Sequence, residues 1–188
     1  MRTTLLALTL LFVAARIPAQ ESKPAKSEID VLYDEDQKDR DDDTPSANTV
    51  EAIDRFLARD ARRRSRAREL LDAGALKTGR DFEKAAFIFQ HGTVPDDFLL
   101  AHVLAMVAMA KGNLHAKQIA VFTLDRYLQN IQRPIVLGPG WTKTDDQPWT
   151  QAPFNRTLVP DSLRKELGIQ TLEQQAKDLA EMNKTQPK

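Results

Sequence analysis

From residue 48 to residue 133, apolar positions return every three or four residues, the spacing of amphipathic helices. Breaks divide this run into four segments. Asn48 and Glu51 have capping-box spacing, so the first helix is predicted from about Asn48 to Leu71, with Gly74 as its stop. A second is predicted from about Gly79 to Gln90 and ends at Gly92. "TVPDDF" opens a third, with Pro95 in its first turn and Asp96 and Asp97 near the positive helix end; it stops at Gly112. A fourth runs from about Leu114 to Asn130. Short glycine-bearing connections make neighbours antiparallel hairpins.

Beyond Arg133 the periodicity stops. Residues 134–159 are rich in proline, glycine and polar residues and are read as an irregular loop, with an extended piece at Ile135 to Leu137. Trp141 and Trp149 flank that loop and either pin it to the bundle or form a binding surface. Residues 160–188 hold a short helix from Pro160 and a last one capped by Thr171, packing on the core with a frayed end. The fold class is all-α: a single helical bundle of about four core helices, spanning 48–133, plus one or two short C-terminal helices.

The N-terminal 47 residues have a different pattern. Arg2, an eleven-residue apolar run from Leu5 to Ala15 and the small Ala19 make residues 1–19 a secretory signal peptide pattern, too short for a membrane span. The mature chain is then exported, periplasmic or extracellular, without a transmembrane anchor. Residues 20–47 are read as a disordered acidic linker, because "DEDQKDRDDD" sets seven acids against Lys38 and Arg40. "IDVLY" is its one apolar island.

Composition narrows the chemistry. Lys plus Arg equals Asp plus Glu at 27 each, so no net field draws the chain to nucleic acid. There is no cysteine, and the histidines lack metal-ligand spacing, so neither a metal nor a cofactor is expected. No Gly-x-Ser-x-Gly and no glycine-rich phosphate loop occurs.

Some polar residues fall where apolar ones are expected. On the first helix Ile53, Leu57, Ala67 and Leu71 define a core-facing stripe, and Asp60 and Arg64 lie within it, acid first at four-residue spacing. They are a buried structural pair or a functional one. Arg62, Arg63 and Arg66 point away from the stripe and form a solvated face, clasped in one version by the acidic tail. His102 is the one polar residue in "FLLAHVLAMVAMA", a helix apolar all round and so read as buried; the imidazole should be enclosed and hydrogen-bonded. Asp125 and Arg126 are sequence neighbours and face different partners, with Arg126 suited to a carboxylate from another helix. Gln90-His91 ends a helix, where a charged imidazole suits the dipole.

Together these residues resemble a family of mostly bacterial proteins, a domain of unknown function. Its motifs are Asp-x-x-x-Arg, matched by Asp60 and Arg64; Gln-His, matched by Gln90-His91; Asp-Arg, matched by Asp125-Arg126; and Gln-x-Tyr-Gly-Thr-Gln. The last is absent: Ile135-Val136-Leu137-Gly138-Pro139-Gly140 stands in its place. The resemblance spans about Asp60 to Gly138, with a similar ending, "VPDSLRKELGIQTLEQQ", and implies no particular activity.

Two functions remain open. One is a non-catalytic exported helical module for a protein or cell-envelope partner, in which Asp60, Arg64, Gln90, His91, His102 and Arg126 fix helix registry. The other is a small-ligand binder or hydrolase-like enzyme with His91 as acid/base, Asp60 or Asp125 orienting it, and Arg64 or Arg126 holding an anion. The second requires His91 and Arg64 at one solvent-open pocket.

Overall fold

A computed structural model describes residues 26–42, 49–144 and 147–184. The signal peptide reading, both ends of the acidic segment and the chain's last four residues lie outside the described residues. The protein is all-α. Its helices are α1 (Glu28–Asp42), α2 (Val50–Asp72), α3 (Gly79–Phe89), α4 (Pro95–Ala110), α5 (Lys117–Asn130), α6 (Asp161–Leu167) and α7 (Leu172–Lys184), with a 3-10 turn before α5. Among the described residues, β pairing is confined to two isolated bridges, Ile135 with Phe154 and Thr142 with Thr150.

The acidic segment is the main correction to the sequence reading. Residues 28–42 form a helix docked on the bundle. Ile29 is buried in the core, Leu32 packs against it, and Tyr33 meets the Phe87 ring edge-on at 5.6 Å. Ion pairs hold the rest: Glu28 with Arg66, Asp30 with Lys84, Asp39 with Arg59 and Arg63. The acids do not repel the segment into solvent, because the arginine face of α2 lies opposite them.

These pairs also fix directions. Along α1 the partners on α2 run from Arg66 back to Arg59, so α1 and α2 are antiparallel. The partners on α3 and just beyond it run forward, from Lys84 to His91, so α1 and α3 are parallel.

Thr49 caps α2 by accepting from Ala52 N–H, the role the sequence reading gave to Asn48. α2 does not bury its whole stripe. Ala67 is buried, but Ile53 and Leu57 are 42% and 46% exposed. Arg63, assigned to the solvated face, is only 3% exposed, and Asp60 is 4% exposed. The helix is rotated from its apolar optimum because its arginines find carboxylates on α1.

α3, α4 and α5 form the close-packed centre. Thr78 and Asp81 make a reciprocal capping box at the start of α3. Asn113, after α4, donates to the Gly79 carbonyl at the start of α3, as an antiparallel hairpin requires. Alanines at the contacts (85, 86, 101, 105, 108, 116 and 120) are buried and let the backbones approach. Ile88, Phe89, Leu104 and Ile119 fill the space between, each contributing about 2 kcal/mol of transfer free energy. α4 is not enclosed on all sides: Leu99, Val103 and Met106 are 36%, 46% and 51% exposed.

Gly92 ends the α3 region for a reason other than left-handed backbone. Asp97 lies over it, accepting from Thr93 N–H, and a Cβ on residue 92 would collide with the Asp97 side chain, including its Cβ.

The C-terminal helices are held through the loop. Arg164 of α6, wholly buried, donates to the Leu137 and Gln170 carbonyls; Gln175 of α7 also donates to Leu137. Asn183 brackets Trp149, accepting from its N–H and donating to its carbonyl.

The ion pairs of α1 make its docking acid-sensitive. The Lys84 ammonium, hydrogen-bonded to Asp30, holds that carboxyl down at about 2 against an ordinary 3.8. For Asp39 burial pushes upward, but hydrogen bonds from Arg59 and Arg63 outweigh it and leave the carboxyl below its usual value. Folded-state pKa values below unfolded ones stabilise the fold above the unfolded pKa, and that contribution is lost as pH falls through the folded one. Thermal melts should therefore show stability falling from about pH 4 toward about pH 2, and Lys84→Met should reduce that drop.

Candidate functional site

The polar residues singled out in the sequence converge on the C-terminal end of α3, with two exceptions. His91 lies just past the helix. Its Nε2 accepts from Arg40 Nε at 3.0 Å, so that nitrogen carries no proton and Nδ1–H is left to face Asp36, 3.2 Å away. Arg40 then bridges two carboxylates: its Nη1 donates to Asp36 and its Nη2 to Asp60, each at 2.9 Å. Arg63 completes the lattice, with Nη2 on Asp60 at 2.6 Å and Nη1 on Asp39 at 2.7 Å.

This lattice is deep and charge-matched. Asp36 is 1% exposed, and Asp36, Asp39 and Asp60 face Arg40, Arg59 and Arg63. Burial by itself lowers the Arg63 pKa, but its bonds to Asp60 and Asp39 outweigh that and raise it above the ordinary value. Arg40 and Arg59 also lie over the Phe56 ring, at 5.3 and 5.8 Å, which screens the cluster. Asp36, Arg40 and Arg63 were not among the sequence candidates. The available signal was charge complementarity between the acids of 34–43 and the arginines of 59–68.

Arg64 and Arg126 bind backbone, not side chains. Arg64 Nη1 donates to the His91 carbonyl and Arg126 Nη1 to the Gln90 carbonyl, each at 2.9 Å. Two cations thus cap the negative end of α3. Arg64 also has the Asp97 carboxylate at 3.6 Å. Arg126, expected to find a carboxylate, has none within ion-pair distance among the described residues. Desolvation by the groups packed around it, and then the positive charge of Arg40, hold its pKa below the usual arginine value, although the side chain as a whole is exposed.

Asp125 and His102 lie apart from the cluster. Asp125 accepts from the N–H groups of Val136, Leu137 and Gly138, between 2.6 and 3.2 Å. Three successive amides form an anion-binding concavity, and the chain fills it with its own carboxylate. Gly138 is needed there: its φ is +68°, and a Cβ would meet Gln175 Oε1 at 2.7 Å and the Phe154 ring at 2.8 Å. His102 Nδ1 lies 2.9 Å from the Ala120 carbonyl; a carbonyl can only accept, so Nδ1 carries the proton and pins α4 to α5. His102 is half-buried, not enclosed.

The chemistry open to this cluster is limited. Both ring nitrogens of His91 are engaged, and Arg64 meets its carbonyl, not its ring. Neither of the two cavities described along α5 is lined by His91 or Arg64. Compared with protein-family models, with curated proteins and with solved structures, the chain matches none.

Breaking the lattice on one side strands a buried charge. Asp36→Asn should cost about 3 kcal/mol in urea unfolding, and the double variant with Arg40→Gln should cost less than the sum of the two singles. Asp125→Ala leaves three amides without their acceptor and should cost about 3 kcal/mol, with the loss of amide exchange protection concentrated at 136–138.

Proposed function

We propose that the chain is an exported, non-catalytic helical module that binds a protein or cell-envelope partner. One observation carries this reading: α4 presents Leu99, Val103 and Met106 to solvent along one face, although its opposite face forms the centre of the bundle. Positions 99, 103 and 106 fall one above another on a helix. Contiguous exposed apolar side chains are the surface feature that association buries. The cluster at His91 serves this reading as a fastener, since its groups bond one another and leave no free acid or base. Among the described residues no helix is long and apolar enough to cross a membrane. The N-terminal signal pattern favours an envelope setting.

The test substitutes Val103→Glu and Met106→Glu together. Exposed positions tolerate such changes to within about 0.5 kcal/mol, so the variant should keep its melting temperature and helical signal. Used as bait with envelope extracts, the unaltered protein should retain a discrete partner that the variant loses. Retention of the same proteins by both, or of none by either, counts against the proposal.

A further inference from the structure

Arg126 is the cation of the α3 end that lacks a carboxylate among the described residues, and it borders a cavity. The cavity has a volume of about 240 Å³ and lies between α5 and the loop after it. Its lining includes residues with side-chain donors, Arg126, Gln129, Trp141 and Thr142, of which Arg126 also donates to the Gln90 carbonyl and Thr142 to the Thr150 carbonyl. The indole Nε1–H is shielded from solvent and has no hydrogen-bond acceptor among the described residues. Asp125 is the one acid among the described lining residues, and both its oxygens already accept from the amides of 136–138. The remaining walls are apolar, from Phe122, Ile135 and Pro139.

We propose that this cavity binds a small organic carboxylate on an apolar body, with Arg126 as its charge partner and the Trp141 indole as a neutral donor. A guanidinium without a counter-ion among the described residues, next to a donor without an acceptor among them, is complementary to a planar anion that accepts from both. One uncompensated cation matches a monoanion better than a dianionic phosphate. The volume corresponds to roughly eight waters, which suits a compact aromatic or branched aliphatic acid. The site is independent of docking through α4, because it shares no residue with Leu99, Val103 and Met106.

The Trp141 indole N–H is a direct reporter. The chain has two tryptophans, so a Trp141→Phe variant assigns the indole signal in a proton–nitrogen correlation spectrum. The ¹⁵N-labelled protein is titrated at constant ionic strength with benzoate, with the neutral isostere benzamide and with inorganic phosphate. Benzoate should move the Trp141 indole signal downfield and saturably, with a Kd of roughly millimolar for so small a ligand. Benzamide should bind at least about tenfold more weakly, and Arg126→Gln should weaken benzoate by about the same factor. An unsaturable benzoate response, equal responses to benzoate and benzamide, or tighter binding of phosphate would overturn the proposal. The comparison of benzoate with benzamide uses the unaltered protein and stands even where Arg126→Gln does not fold.

Discussion

The requirement that a buried carboxylate be answered by a cation governs this bundle. Asp36, almost inaccessible to water, is met by Arg40 on its own helix, by the imidazole of His91 and, more distantly, by Arg63. Asp60 is met by Arg40 and Arg63. Because Arg40 and Arg63 each serve both acids, α1, α2 and the end of α3 are held in a mutual alignment in which both buried carboxylates are matched. A shift of α1 by a single turn would leave Asp36 facing a different set of side chains. Apolar contact alone is indifferent to such slips, whereas a network of directed charge-assisted bonds is not.

The cost of that arrangement is visible on α2 and α4. Turning the arginines of α2 toward α1 leaves Ile53 and Leu57 partly in water, and the compact alanine contacts of α3 to α5 use only one side of α4. The bundle is therefore specific in its interior and incompletely covered outside. The same economy appears after α5, where Asp125 replaces a strand or helix as the organiser of the loop by gathering three amides around one carboxylate.

Much of the architecture was legible because local signals agreed. Pro95 with Asp96 and Asp97, the glycine stops and the 3.6-residue periodicity delimit α3 and α4 to within a residue or two of their observed ends, while the first three residues expected of α5, Leu114 to Ala116, form a 3-10 turn. α1 was illegible for a physical reason. Its composition is that of a solvated chain, and several of the groups that neutralise it lie 20 or more residues away, as in the pairing of Asp39 with Arg59 and of Asp36 with His91. The stripe through Ile53 and Leu57 misled for the same reason: apolar periodicity competed with charge pairing, and charge pairing set the rotation of α2. For the site, Asp60, Arg64, Gln90, His91 and Arg126 were singled out in the sequence and lie near one another in the structure, whereas Asp36, Arg40 and Arg63, the residues that join them, were not singled out. His102 and Asp125 shared the polar-in-apolar signal while serving separate local contacts.

The distance along the chain between His91 and Asp36, 55 residues, also orders events in time. The hairpins of α3, α4 and α5 close over short loops and can form early, since little chain entropy is spent in bringing neighbours together. α1 has no apolar face large enough to collapse onto the chain unaided, and its cationic partners are aligned only once α2 and the end of α3 are in place. Its attachment is therefore expected to be the closing step of folding, with the segment that has the composition of an unfolded chain waiting for the rest to be folded.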